Sequence, residues 1–251
     1  MKVLEEIIAR LPDGRVQEVR IGLHWTTVVL DVAGRRKCGL ASTLSGGNHH
    51  RSQPDIPEAG RLEQVPAKEM ATWLLSDSLI RRSLGMAAVN ALLPPPPGEW
   101  EDVNAEHVIA RQGAGKKVAL VGHFPFVNRV RPQVGELAVL EQNPGPGDLP
   151  AEAASVIIPP ADVVAITGTT LINHTLQSLL DLCSSQAFIL LLGPSTPLDP
   201  ALFDIGISML SGAIVTEIEP VLRAVSQGAN FRQVHKAGVR LVTIEKESRE
   251  I

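Results

Sequence analysis

The chain has 251 residues, 44% of them hydrophobic and 20% charged, which is the composition of a soluble globular protein with room for one large domain or two modest ones. A formal net charge of -4 and a pI near 6.0 leave no basic stripe for a nucleic-acid backbone. Aromatic residues make up 3% with no tyrosine, so base-stacking platforms are excluded as well.

The N-terminal stretch MKVLEEIIARLPDGR carries acids inside its first apolar run and lacks the hydrophobic region of a signal peptide. No apolar run approaches the roughly 18 residues needed to span a bilayer. Cys38 and Cys183 lie far apart without a CxxC, which argues against both a disulfide framework and a thiolate zinc site. A cytoplasmic protein without membrane or nucleic-acid partners is expected.

In chain order, residues 1–11 read as a short amphipathic helix, with Val3, Leu4, Ile7, Ile8 and Leu11 on one side. It ends at the turn signature Pro12-Asp13-Gly14. Three β-like runs at 15–23, 25–32 and 36–42, with a hairpin turn at Ala33-Gly34, predict a small antiparallel meander. A polar, irregular segment at 45–58 precedes helical patterns at 66–76 and 78–92. The stretch LIRRSLGMAAVNALL within the second of these is apolar enough to serve a homodimer. PPPPG at 94–98 is stiff extended chain and marks a boundary, giving an α+β domain at 1–98 and a second domain at 99–251.

In the second domain, apolar runs recur at 117–122, 136–142, 162–168, 187–193, 209–215 and 239–245, with helix-like stretches between several of them, notably 170–183 and 217–227. Continuous apolar strands alternating with helices predict a mostly parallel, doubly wound, Rossmann-like sheet covered on both faces. The fold class is therefore α/β.

Ligands of such sheets bind outside the carboxyl ends of the strands. Those ends here read Gly122-His123-Phe124-Pro125, Glu141-Gln142-Asn143, Gly168-Thr169-Thr170 and Gly193-Pro194-Ser195-Thr196. Thr169 or Thr170 can cap the helix expected to start there, or the helix start can offer its free N–H groups to a carboxylate or phosphate. Ser195-Thr196 at the neighbouring end favours the second reading. Glu141 stands where an acid commonly binds ribose hydroxyls, yet VGHFPFV lacks GxGxxG and with it a pyrophosphate cradle. GAGKK at 113–117 precedes its strand and is no phosphate loop. Asp148, in the turn-rich loop NPGPGDLP, can reach the same cleft or serve its own turn.

His123 sits where an imidazole can act as acid, base or ligand. His49-His50 are adjacent in SGGNHHRS and form no helix-face chelate, while His174 falls one turn inside the helix expected after Thr170. Histidine spacing gives no metal signature. GLASTLSGG at 39–47, with Ser42, Thr43 and Ser45, forms a loop able to close over a ligand held by the second domain.

VGHFPFV, LEQNPGPGDLP, ADVVAITGTTLINHT and GPSTPL followed by LFDIGISMLSGAIV resemble the heavy-metal-chelation family of uncharacterised prokaryotic proteins, and GLAST resembles that family's N-terminal domain. The resemblance implies an enolase N-terminal-like α+β domain followed by a Rossmann-like domain, with a site at their junction. It implies a role in condensation or hydrolysis in chelator, pterin or flavin chemistry. It carries over His123, Glu141, Asp148, Thr169, Thr170, Asn173, Ser195 and Thr196. In the first hypothesis a small anionic or metal-chelating molecule binds in the interdomain cleft. His123 is then acid or base, Glu141 binds hydroxyls or a metal, and Thr169, Thr170, Ser195 and Thr196 cradle an anion. The alternatives are a non-catalytic metal-binding or delivery protein holding a transition metal, and an S-adenosylmethionine-dependent, methyltransferase-like enzyme.

Overall fold

The computed structural model describes residues 1–46, 54–96 and 105–246. Helix α1 (Lys2–Arg10) buries Val3, Leu4, Ile7 and Ile8 as its pattern predicts. Strands β1 (Arg15–Ile21), β2 (Trp25–Val32) and β3 (Arg35–Ser42) form the antiparallel meander. Ala33 (φ 52°) and Gly34 (φ 77°) are both left-handed, the geometry of a two-residue turn whose twist matches the strands it joins. The Asp31 carboxylate accepts the Gly34 N–H at 2.8 Å. Helix α2 (Ala67–Thr72) runs into a 3-10 turn at Trp73–Leu75, and α3 (Leu79–Leu92) lies across β2 and β3. Gly39 of β3 lets α3 approach closely, since a Cβ there would stand 1.9 Å from the Ala87 carbonyl oxygen.

The second half contains α4 (Ala105–Gln112), β4 (Lys117–Val121), α5 (Val127–Val130), β5 (Glu136–Glu141), β6 (Leu149–Pro150), α6 (Ala154–Ile157) and β7 (Val163–Thr167). It continues with α7 (Thr169–Ile172), α8 (Leu176–Leu180), β8 (Phe188–Leu192), β9 (Met209–Val215), α9 (Ile218–Ser226), α10 (Phe231–Gly238) and β10 (Val239–Glu245). The strand order is β10-β9-β8-β7-β4-β5-β6, parallel throughout except for antiparallel β10 at one edge. The chain winds outward from β4 in one direction and from β7 in the other. The topological switch point, where such folds bind ligands, therefore falls between β4 and β7.

Side chains alternate between the two faces of this sheet. Val118, Leu120, Val163, Ala165, Leu190 and Leu192 join a core completed by α4 and α5. Ala119, Val164, Ile166, Ile189 and Leu191 join a core that runs without a break into α1, α2, α3 and the meander. The N-terminal half thus shares one face of the sheet with the chain's own later helices. Three polar ties reinforce this junction. Arg10 meets Asp199 at 3.0 Å, the Ser42 N–H donates to Ser195 Oγ at 2.8 Å, and His174 Nε2 donates to the Leu74 carbonyl at 2.9 Å.

Three sequence expectations change. Helix α3 buries Leu84 through Val89, Ala91 and Leu92 inside its own chain, so these residues of LIRRSLGMAAVNALL are not available to a second copy. The helix expected at 170–183 is two short pieces, α7 and α8, broken at Asn173-His174, where His174 adopts φ 62°. The left-handed backbone is held by the His174–Leu74 bond, a contact 100 positions away in sequence. Burial pushes the His174 pKa down, against the Leu74 carbonyl and with the Arg82 charge, so its ring is neutral at pH 7. Helices α4 and α10 were not expected. Among the described residues no helix is long and apolar enough to cross a membrane.

Candidate functional site

A cleft of about 760 Å³ opens at the carboxyl ends of β4, β5 and β7, on the N-terminal side of the sheet. The meander's exit loop (Thr43, Leu44, Ser45) and Leu79 of α3 complete its wall. Gly122, with φ 102°, turns the chain sharply out of β4 and presents His123 and Phe124 to the cleft. Phe124 stacks on Phe126 at 5.2 Å between centroids.

His123 is exposed in the wall, with 49% of its side chain accessible, and it is held from behind. The Asp148 carboxylate, 3% accessible, lies 2.9 and 3.0 Å from His123 Nδ1 and also accepts the Gly145 N–H at 3.1 Å. A carboxylate only accepts, so Nδ1 carries a proton, and in the neutral ring Nε2 presents a lone pair. Nε2 has no partner among the described residues. Glu141 acts on the same loop: one oxygen accepts the His123 N–H at 2.9 Å, the other the Gln142 N–H at 2.7 Å. Glu141 lines the cleft while fixing the backbone that carries His123.

The opening of α7 supplies the second polar wall. Thr169 is its first residue, and neither Thr169 nor Thr170 caps it. The Thr167 hydroxyl takes that place, 3.4 Å from the Thr169 N–H and 3.1 Å from the Thr169 hydroxyl. Thr170 Oγ1 donates to the Thr167 carbonyl at 2.7 Å. Asn173 Oδ1 accepts from both the N–H and the hydroxyl of Thr175, at 3.1 and 2.7 Å. Its amide N–H groups have no partner among the described residues.

The structure thus brings Thr43, His123, Glu141, Thr169, Thr170 and Asn173 to one cleft, with Asp148 behind His123. It does not bring the other three expected residues there. Ser195 Oγ donates to Ser42 Oγ at 3.1 Å and accepts the Ser42 N–H, joining β3 to the β8 loop inside the protein. Thr196 is 1% exposed and packs against the strand ends. A Cβ on Gly168 would stand 2.5 Å from Thr196 Oγ1, which explains the glycine between β7 and the two threonines. That glycine is required by the close approach of Thr196. The expected four-hydroxyl anion cradle is therefore not assembled, and α7, four residues long, carries little helix dipole. No Lys or Arg lines the cleft among the described residues. Thr167, Thr175 and Ser178 were missed in the sequence, and Gln142 and Phe124 were read only as strand-end residues without a role, although the paired phenylalanines of GHFPF were an available signal.

Thr170→Val should cost about 1 kcal/mol of stability, the value of one buried hydrogen bond, read as a lowered urea midpoint. If the midpoint holds and ligand affinity falls instead, Thr170 contacts the ligand directly.

Among the described residues no group of three or more His, Cys, Asp or Glu is placed to hold a metal. His49-His50 lie outside the described residues. The thiols do not fill the gap. Burial pushes Cys38 up to about 12 and Cys183 up to about 11, so both are protonated at neutral pH and poor ligands. In the folded protein at pH 7.5 a chromogenic disulfide reagent should label neither thiol within the dead time, and both after denaturation. Rapid labelling of Cys38 in the native state would show that β3 opens.

Residues 104–243 match the family DUF364, described as "Putative heavy-metal chelation", and residues 4–93 match DUF4213, with the same description. The chain belongs to this heavy-metal-chelation family. An uncharacterised protein of Methanocaldococcus jannaschii is 26% identical over 243 residues, 94% of this chain and 92% of that one. Two crystal structures of DUF364 proteins with unknown function are similar, each over 98% of both chains with a TM-score of 0.81. The one from Desulfitobacterium hafniense is 28% identical and the one from Pyrococcus horikoshii 24%.

Proposed function

We propose that this member of the heavy-metal-chelation family binds a small, hydroxyl-bearing metal chelate in the cleft between its halves, with His123 as the group that meets it. The observation carrying this is the His123–Asp148 pair: a carboxylate fixes Nδ1–H and leaves the Nε2 lone pair for a ligand hydroxyl or for an open coordination position on a chelated ion. A carboxylate-backed imidazole serves both proton transfer and metal ligation.

Of the two ligand classes expected from the sequence, the chelating one is favoured over the anionic one. An anion would meet Glu141 and no lysine or arginine among the described lining residues. A bare metal ion is disfavoured because no three metal-ligating side chains converge among the described residues. A chelate brings its own donors and needs only one imidazole. The Asn173 amide, the Thr169 hydroxyl and the face of Phe124 are suited to its organic part. The metal is thus cargo on a small molecule. Condensation or hydrolysis of that molecule, with Nε2 as proton acceptor, is the catalytic form of the same reading. The methyltransferase-like alternative is weakened by the four-residue α5 after β4, which replaces the long helix of a dinucleotide cradle.

Mass spectrometry of small molecules and metals released from the freshly purified chain tests this. A hydroxylated chelator carrying its metal, near one per chain, is expected. A metal without an organic ligand would support the delivery protein instead, and the absence of both, with no uptake of added ferric or nickel chelates, would overturn the proposal.

A further inference from the structure

A second cavity lies apart from the cleft and shares no lining residue with it. It measures about 240 Å³ and sits between the outer end of β3, the C-terminal end of α3 with the prolines that follow, and β9. About half of its surface is apolar, supplied by residues that include Leu93, Pro94, Pro95, Leu198 and Val215. The prolines have fixed φ and no N–H to satisfy, so this wall is rigid and preformed.

Two cationic side chains of β3 border this cavity, and they differ. Arg36 is neutralised by Glu18 and Glu219. Lys37 is half-buried, and its ammonium finds one acceptor, the Leu93 carbonyl at 3.3 Å, with no carboxylate among the described residues paired to it. Burial and the Arg35 charge both push its pKa down. An ammonium has three donors, so two here lack acceptors among the described residues. Thr196 also lines the cavity, but its buried hydroxyl lies against Gly168 and not in the cavity. Asn90 spends its amide N–H on the Leu40 carbonyl and keeps its oxygen. A cation beside an apolar wall, without an acid paired to it among the described residues, suits the carboxylate of a ligand.

We propose that this cavity is a second binding site, for a small carboxylate with an apolar body, whose carboxylate pairs with Lys37 while its body lies against Pro94, Pro95 and Leu198. The size fits, because sites for drug-sized ligands run from about 300 to 1,000 Å³ and this one is smaller. A free phosphate or acetate would gain the charge and leave the apolar wall dry, so affinity should rise with the apolar body. The site is independent of the cleft and stands whether or not a chelate binds there.

Calorimetric titration of the full chain with benzoate tests it, with acetate and inorganic phosphate as comparators. Benzoate should bind saturably at one per chain, at least about tenfold more tightly than either comparator, and Lys37→Met should weaken it at least about tenfold. Leu198→Trp, which fills the cavity and keeps Lys37, should abolish benzoate binding and decides the matter should Lys37→Met fail to fold. The proposal is overturned by absent saturation, by equal affinity for phosphate, or by a folded Lys37→Met or Leu198→Trp protein that binds benzoate as the parent does.

Discussion

Alanine at position 39 is expected to destabilise the protein by about 3 kcal/mol, near the upper end of what overpacking costs. Gly39 is in the middle of β3, where α3 crosses it. The added Cβ would stand 1.9 Å from the Ala87 carbonyl oxygen and 2.5 Å from the Ala91 nitrogen. Both atoms belong to helix backbone, so no side-chain rotation relieves the clash. Either α3 lifts off the meander, exposing part of a core that includes Leu84, Ala88 and Leu92, or β3 shifts. A shift of β3 would carry Thr43 away from the cleft. Urea denaturation should give a lowered midpoint with an unchanged slope. A loss below about 1 kcal/mol would mean that α3 and β3 slide past each other freely.

The largest functional effect is expected at His123. His123→Ala should reduce chelate binding at least about 100-fold while leaving the thermal midpoint within about 2 °C, because half of this side chain is accessible and no core residue rests on it. Asp148→Asn should fall between the two, about 10- to 100-fold weaker than the parent, since an amide no longer fixes the Nδ1–H tautomer but still fills the space. Equilibrium titration with the chelate recovered from the native protein gives both numbers. Equal affinities for all three proteins would remove His123 from the site. A loss for Asp148→Asn larger than for His123→Ala would mean that the loop fold matters more than the imidazole.

What was legible in the sequence follows physical range. The buried strands stood out because both faces of a covered parallel sheet demand apolar residues, as in Val163–Ile166 and Leu190–Leu192. The Ala33-Gly34 turn and the amphipathic α1 were equally local signals. Helix α10 was legible but passed over: Asn230 and Gln233 form a capping box, an Asn-x-x-Gln pattern that can be read directly. The break in the helix at 170–183 was not legible, since no Gly or Pro marks it and a carbonyl from the other half holds His174 in place.

The cleft divides in the same way. His123 and Glu141 were visible as strand-end residues, because the position of a strand end depends only on the strand. That Asp148 grips the His123 ring depends on how a loop of several turns closes, and this is set by the Gly145 N–H and by the left-handed Gly147. Ser195 and Thr196 stand at a strand end as well, yet they face the interior junction. Sequence spacing brings a residue to the edge of the sheet and cannot tell which side of that edge it meets.

The most direct measurement is the nitrogen-15 NMR signal of the His123 ring, assigned by its loss in His123→Ala and recorded at a pH where the ring is neutral. The account predicts a protonated Nδ1 and a bare Nε2, with the Nε2 resonance moving when the recovered chelate is added. A protonated Nε2 in the free protein, or an Nε2 resonance unmoved by saturating chelate, would contradict it.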